Sequence, residues 1–204
     1  MDLKWYKEIN GDTNINKKII LLGTCLGNKS EKEKLPYMDK TNRFYDYFYN
    51  CKNGTDEKIK ESIKNGKYLI FDVFDEAKNE NNERTTKDNE INYDNSNISD
   101  FIGFKKYYKD SDTIYFLGLK SFRSFLHIIN NIDSKSKSIK EAYKIFKFYI
   151  LPSSSGLNKD CPKSRDQYLE YIKLATKYKL DDFIKKYKTL KRSTLKELNK
   201  LCYN

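Results

Sequence analysis

Phe146 to Asn158, FKFYILPSSSGLN, is the stretch on which the fold turns. Phe146, Phe148, Tyr149, Ile150 and Leu151 form a short aromatic and β-branched run, the composition of an interior strand rather than a solvated helix. Pro152 ends it, because proline cannot continue a central ladder. Ser153, Ser154, Ser155 and Gly156 then offer hydroxyls and closely approachable backbone N–H groups at the carboxyl end of that strand, where open α/β sheets bind ligands. Such a loop suits a phosphate or a base, although the same residues also serve an ordinary turn.

Working outward, Lys18 to Gly23 (KIILLG) is a second apolar strand, and it too runs into a small polar loop, Thr24 to Ser30. Tyr37-Met38-Asp39-Lys40-Thr41-Asn42-Arg43-Phe44-Tyr45 follows, with Phe44, Tyr45, Tyr47 and Phe48 at helical spacing as inward aromatics. Asn53-Gly54 stops that helix, Thr55 caps a second one through Lys64, and Asn65-Gly66 ends it. Tyr68 to Phe74 (YLIFDVF) is a strand with Asp72 inside it, and a carboxylate there must find partners or leave the interior. Thr113 to Gly118 (TIYFLG) is another strand. The helix after it carries Leu119, Phe122, Leu126 and Ile129 on one face and Lys120, Arg123, Ser124 and His127 on the other. Glu76 to Asn97 is polar, Asn-rich and almost free of aliphatics, the composition of a surface loop or disordered insert. Beyond the serine loop, residues 162–204 read as C-terminal helices with lysine-rich outer faces, over Gln167–Tyr178 and Asp181–Leu201. Residues 1–16 hold one amphipathic hint, Leu3, Trp5, Tyr6 and Ile9, suited to covering a sheet edge.

Strands alternating with helices predict an α/β fold, a three-layer αβα arrangement around a four-stranded parallel sheet. At 204 residues the chain is read as one domain, 1–204, with 76–97 as an insert. The 40 Lys and Arg outnumber the 29 Asp and Glu to give a net charge of +11, which favours a polyanionic partner. Cys25, Cys51, Cys161 and Cys202 show no CxxC or Cys/His spacing, and His127 is the single histidine, so neither a metal site nor a His-dependent nucleophile is expected. With no secretory h-region or long apolar run, the expected setting is cytoplasmic, or nuclear in a eukaryote, with reduced thiols and no membrane contact.

Strand, Gly-containing loop, aromatic, then Asn-Arg-Phe-aromatic opening a helix, with a distant strand ending in Leu-Pro-Ser-Ser-Ser-Gly-Leu-Asn, resembles the uracil-DNA glycosylase superfamily. The likeness is to its mismatch-specific and deoxyinosine (hypoxanthine) branches. It covers most of Lys17 to Asn158 and leaves the C-terminal helices unmatched. Thr85 to Ile91 resembles the Gly-Ser-x-Asp-x-x-Ile segment of the deoxyinosine branch, with Thr85 in place of the glycine. Ile98-Ser99-Asp100-Phe101 resembles its helix start, with Ser99 standing for Asn and able to cap a helix through Tyr108.

The resemblance implies a cofactor-free, monomeric glycosylase that removes hypoxanthine or uracil from DNA by everting the base. It assigns Tyr37 as the aromatic against which the base stacks and Asn42 as an amide that reads it, the latter also a helix cap in its own right. Cys25 stands where better-known branches carry a water-positioning Asp or Asn. That leaves leaving-group stabilisation by Asn42 and backbone N–H groups as the main catalytic effect, with Asn28 and Asp39 as nearby substitutes. Cys25, Asp72 and Ser99 complete the base side, although Asp72 reads first as a structural hydrogen-bonding hub. Ser153, Ser154, Ser155 and Gly156 would grip phosphates, Leu157 would wedge into the vacated stack, and Asn158 and Lys159 would extend the DNA contact. The first-strand and fourth-strand loops are taken as mouths of adjacent strands. Arg43 is expected to pair locally. Two other readings stand beside this one: a weak or inactive nucleic-acid binder of the same fold, and a disulfide-bonded surface interaction domain.

Overall fold

The structure, a computed structural model, describes residues 19–27, 30, 35–39, 41–51, 55–87, 89–99, 113–131, 143–144, 146–155, 161–175 and 177. In chain order the elements are β1 (Ile19–Gly23), α1 (Phe44–Tyr49), α2 (Asp56–Asn65), β2 (Tyr68–Asp72), β3 (Phe74–Lys78), β4 (Asn92–Ile98), β5 (Thr113–Leu117), α3 (Leu119–Asn131), β6 (Lys147–Leu151) and α4 (Arg165–Leu174). Of the two expected C-terminal helices, Gln167–Tyr178 is observed as α4; the one over Asp181–Leu201, the amphipathic stretch in residues 1–16 and the helix after Ser99 lie outside the described residues.

The four apolar runs form one parallel sheet in the order β2-β1-β5-β6. Each strand is apolar on both sides, as a sheet covered on both faces requires. Ile20, Leu22, Leu69, Phe71, Ile114, Phe116, Phe148 and Ile150 face α3, whose Phe122, Phe125, Leu126 and Ile129 are buried against them. The alternate residues Leu21, Tyr68, Ile70, Leu117 and Leu151 face α1, α2 and α4 through Phe44, Tyr47, Phe48, Ile59, Ile63 and Tyr168. The three-layer α/β architecture is the expected one.

Four expectations are corrected. β1 and β6 are not adjacent, because β5 lies between them. The YLIFDVF run does not continue to Phe74: β2 stops at Asp72, and Phe74 opens β3. Residues 76–97 are an antiparallel hairpin, with Phe74 paired to Ile98 and Lys78 to Asn92. Side chains hold this hairpin together where aliphatics are lacking. Ser96 Oγ accepts from Lys78 N–H (2.9 Å) and donates to Asn92 O (2.5 Å), and Asn97 Nδ2 donates to Glu76 Oε2 (2.9 Å). Lastly, Ser124 is not on a polar stripe; both it and Ser121 are fully buried. The hairpin adds cover to α3: Tyr93 stacks on Phe74, lies 4.5 Å from the His127 ring and receives Lys120 over its face. His127 Nε2 stands 3.9 Å from Asp94 Oδ1, so the histidine serves this contact.

Candidate functional site

The carboxyl ends of β1 and β2 make the first half of the site. Gly23 and Asp72 are the last paired residues of their strands, so the alternation that turns Tyr68 and Ile70 toward α1 also turns Asp72 there. Past that rung the two chains stay knitted: Val73 N–H donates to Gly23 O (3.0 Å), Phe74 N–H to Thr24 O (3.0 Å) and Ser99 N–H to Val73 O (2.9 Å). Asp72 is 3% exposed. Tyr37 reaches into the same space. A Cβ added to Gly23 would lie 2.1 Å from Asp72 Oδ1 and 2.3 Å from Tyr37 Oη, so the carboxylate and the phenol close on one point above the glycine. No other residue type fits there.

Tyr37 is held in an unusual way. Its φ is +58°, the left-handed region that a bulky side chain rarely adopts, and its ring stacks on Phe44 with centroids 4.0 Å apart. The ring keeps some exposure, yet the hydroxyl is buried and has no hydrogen-bond partner among the described residues. Burial first, and the neighbouring Asp72 charge second, push the phenol well above its ordinary value, so it stays protonated.

Asp39, Thr41 and Asn42, between Tyr37 and α1, are hydrogen-bonded to one another. Asn42 N–H donates to Asp39 O (2.9 Å), and Asp39 Oδ1 accepts from both Thr41 N–H (2.9 Å) and Thr41 Oγ1 (2.6 Å). Asn42 Oδ1 accepts from Phe44 N–H at 3.0 Å. The amide therefore turns back onto the first residue of α1, whose N-cap is Arg43, and its orientation is set: the oxygen is spent on the helix and the Nδ2 end is turned away from it. Asn42 is half-buried and Asp39 exposed.

The second half of the site is the loop after β6. Arg43 N–H donates to Ser154 O at 2.9 Å, which joins the Asn-Arg-Phe turn directly to the serine loop although β5 separates their strands. Gly118 makes this reach possible. It follows β5 with φ +105°, donates its N–H to Leu151 O (3.0 Å), and a Cβ on it would come within 3.2 Å of Ser153 Cβ. The exit of β5 is thus flattened beneath the serines. Tyr168 of α4 donates from its hydroxyl to Pro152 O (3.0 Å) and stacks on Tyr47 at 4.1 Å, fixing the start of the loop. Arg43 does not pair locally: Nη1 donates to Pro162 O (3.3 Å) and to Lys163 O, and Tyr47 Oη donates to Pro162 O. The arginine ties α1 to the segment that leads into α4.

Tyr37, Asn42, Asp72 and the serines therefore lie at the carboxyl end of the sheet, with Asp72 on one outer strand and the serines following the other. Within the loop, Ser153 and Ser155 are half-buried and linked by Ser155 N–H donating to Ser153 Oγ (3.3 Å), but Ser154 is 2% exposed and its side chain points away from any phosphate in solvent. Cys25 is a half-buried thiol, in no disulfide, packed on the α3 side. Ser99 is buried at the end of β4. Asn28, Gly156, Leu157, Asn158 and Lys159 lie outside the described residues. Gly23, Gly118 and the Arg43 main chain were missed. A glycine at a strand end was the available signal for the first two, and nothing in the sequence marks the third. Among the described residues no group of His, Cys, Asp or Glu is arranged to hold a metal ion, and no helix is long and apolar enough to cross a membrane. Cys25, Cys51 and Cys161 are not in disulfides.

The same fold occurs in a solution NMR structure of a protein from Methanosarcina acetivorans provisionally named a uracil DNA glycosylase. The match spans 87% of this chain and 92% of that one, with a TM-score of 0.53 and 20% sequence identity. At that identity the likeness is one of fold. No protein-family model matches the chain, and no curated protein matches its sequence.

Proposed function

We propose that the chain is a DNA glycosylase that hydrolyses the N-glycosidic bond of a deaminated base, hypoxanthine or uracil, as in base excision repair. The observation that carries this reading is the Arg43 N–H to Ser154 O hydrogen bond. It joins an aromatic, amide and carboxylate cluster to a hydroxyl-rich loop at the carboxyl edge of a parallel sheet, on a fold shared with the Methanosarcina acetivorans protein. A glycosylase needs these two halves side by side, because it must hold an everted base while gripping the backbone that carried it. The switch in strand order falls between β1 and β5, beneath this junction, which is where open α/β sheets bind ligands.

In this reading bond cleavage leaves positive charge on the sugar and negative charge on the base. Asn42 answers the second. With Oδ1 fixed by Phe44 N–H, the Nδ2 donors are the end of the amide that meets a base carbonyl as charge gathers on it. Ser153, Ser155 and the neighbouring main chain hold the phosphates, with Ser154 acting through its carbonyl on Arg43 rather than through its hydroxyl. Asp39 is the exposed carboxylate beside Asn42 and the candidate to orient water, although one of its oxygens is committed to Thr41.

That commitment, together with a β1 loop whose described residues Thr24 to Gly27 hold neither carboxylate nor amide, favours one second reading, a binder of the same fold with little or no hydrolytic activity. Duplexes bearing a single uracil or a single hypoxanthine, incubated with the protein and then cleaved with alkali, separate the two. Alkali-dependent scission at the modified position is expected; intact strands with every deaminated base leave the binder.

A further inference from the structure

We propose that the Tyr37 hydroxyl and the Asp72 carboxylate form the polar floor of the base site, a hydrogen-bond donor beside an acceptor that together read an adjacent C=O and N–H, the lactam edge shared by uracil and hypoxanthine. The inference rests on the glycosylase reading and deepens it: it names the groups that choose the base and gives Tyr37 a role other than stacking.

Four features of the fold converge on this pair. The hydroxyl is buried without a partner among the described residues, a state that native proteins rarely keep without a use for it. The backbone that delivers it stands at φ +58°, and strained aromatic positions of this kind gather at ligand sites. One face of the ring is already covered by Phe44 at 4.0 Å, so the group of Tyr37 with unmet bonding capacity is its hydroxyl. Gly23 leaves the space in which the phenol and Asp72 Oδ1 meet.

The chemistry of the two groups selects the ligand. Tyr37 stays protonated next to a carboxylate, so it acts as a neutral donor and not as a base or an anion. Asp72 offers acceptor lone pairs on two oxygens, enough to take an N–H beside the bonds it makes within the protein. A phosphate brought here would meet like charge in a poorly solvated place. The heterocyclic end of a nucleotide therefore belongs at the β1/β2 side and its phosphates at the serine loop. A lactam presents C=O to Tyr37 and N–H to Asp72. The amino-bearing parents, cytosine and adenine, present the two in reversed order, and a site built for one order is left with unpaired polar groups by the other.

The test is equilibrium binding of deoxynucleosides, whose sugar blocks the second lactam edge that a free pyrimidine carries, followed by NMR titration, to the wild-type chain, Tyr37→Phe and Asp72→Asn. Deoxyuridine and deoxyinosine should bind, while their derivatives methylated at the lactam nitrogen, which lack the N–H, should bind about tenfold more weakly, as should deoxycytidine and deoxyadenosine. Tyr37→Phe should weaken deoxyuridine and deoxyinosine by about five- to tenfold. Asp72→Asn should weaken those two and leave the methylated nucleosides where they were, a difference that a merely structural role would not produce. Equal affinity for methylated and unmethylated nucleosides, an equal loss for every nucleoside in both variants, deoxycytidine and deoxyadenosine binding as tightly as the lactams, or no binding of any nucleoside at millimolar concentration would each overturn the proposal. The excision assay on the same proteins keeps the two readings apart. Lactam-selective binding without release of either base from DNA removes the glycosylase and keeps the pair; excision with the methylated nucleosides and Tyr37→Phe at parity does the reverse.

Discussion

Tyr37→Phe removes one oxygen and keeps the ring on Phe44, and its effects on stability and on binding are expected to have opposite signs. A buried hydroxyl that finds no partner costs about 1–3 kcal/mol of folding free energy. Deleting it returns that amount. Even the lower end, about 1 kcal/mol, raises the melting temperature of a chain this size by ~2–4 °C. Base binding should move the other way: one lost neutral hydrogen bond is worth about 0.5–1.5 kcal/mol, up to roughly a tenfold loss of affinity. Calorimetric melting of both proteins at pH 7, with and without hypoxanthine, reads both quantities in one experiment. The variant should melt higher alone and gain less from the ligand. If the hydroxyl instead serves Asp72, removing it strips support from a carboxylate that is 3% exposed, and the variant melts lower. A lower melting temperature with unchanged response to hypoxanthine would refute the reasoning.

Four further outcomes are expected. Asn42→Asp keeps the acceptor for Phe44 N–H and removes the amide donors, so stability should hold while excision falls; Asn42→Ala should also lose about 1 kcal/mol of stability, and full activity in both would remove Asn42 from the mechanism. Gly23→Ala forces a methyl against Asp72 and Tyr37 and should cost about 1–3 kcal/mol and the activity together, whereas Gly27→Ala, with nothing within 4 Å, should stay within about 0.5 kcal/mol of wild type by urea unfolding. Gly118→Ala, at φ +105° under Ser153, should destabilise by about 1–3 kcal/mol and weaken DNA binding measured by fluorescence anisotropy. Stability should be lost at alkaline pH. Burial raises the phenols of Tyr37, Tyr47, Tyr49 and Tyr168, so above pH ~10 the unfolded chain releases protons that the folded one retains; the stabilisation is intact below that pH and each such tyrosine subtracts about 1.4 kcal/mol per pH unit above it, which urea midpoints at pH 9, 10 and 11 would show.

The strands of the central sheet were legible because each is a short apolar run ended by glycine, proline or a polar break, and such runs identify buried strands whatever their order. The order itself was not. That β5 separates β1 from β6 depends on how the crossovers pack, and no local residue signals it. The β3–β4 hairpin was hidden for a different reason. Its cohesion comes from Ser96, Asn95, Asn97 and Thr85 bonding to main chain and carboxylates, and a polar stretch knit by its own side chains has the composition of a loop. At the site, the residue types Tyr37, Asn42, Asp72 and the serines could be read. Their postures could not: φ +58° at Tyr37, the fixed orientation of Asn42 and the inward turn of Ser154 are set by Phe44, by the start of α1 and by Arg43.

The separation of β1 from β6 strengthens the case for a nucleotide over a free base. Asp72 ends one outer strand and the serine loop leaves the other, three strand spacings away, roughly 14 Å at ~4.8 Å each. A small ring placed against Asp72 cannot span that distance, so adjacent strands would have suited a lone base better than this arrangement does. The Arg43 to Ser154 bond draws the serine loop back across β5 and shortens the gap. It is made between main-chain atoms, so the reach of the site is set by the fold and not by either side chain. An occupant must carry an uncharged heterocycle at one end and, about a sugar's length away, negative charge for hydroxyls and amides at the other. On the proposed reading, a nucleotide held within a DNA strand would meet both demands at once, and its N-glycosidic bond would then fall between them, beside Asn42.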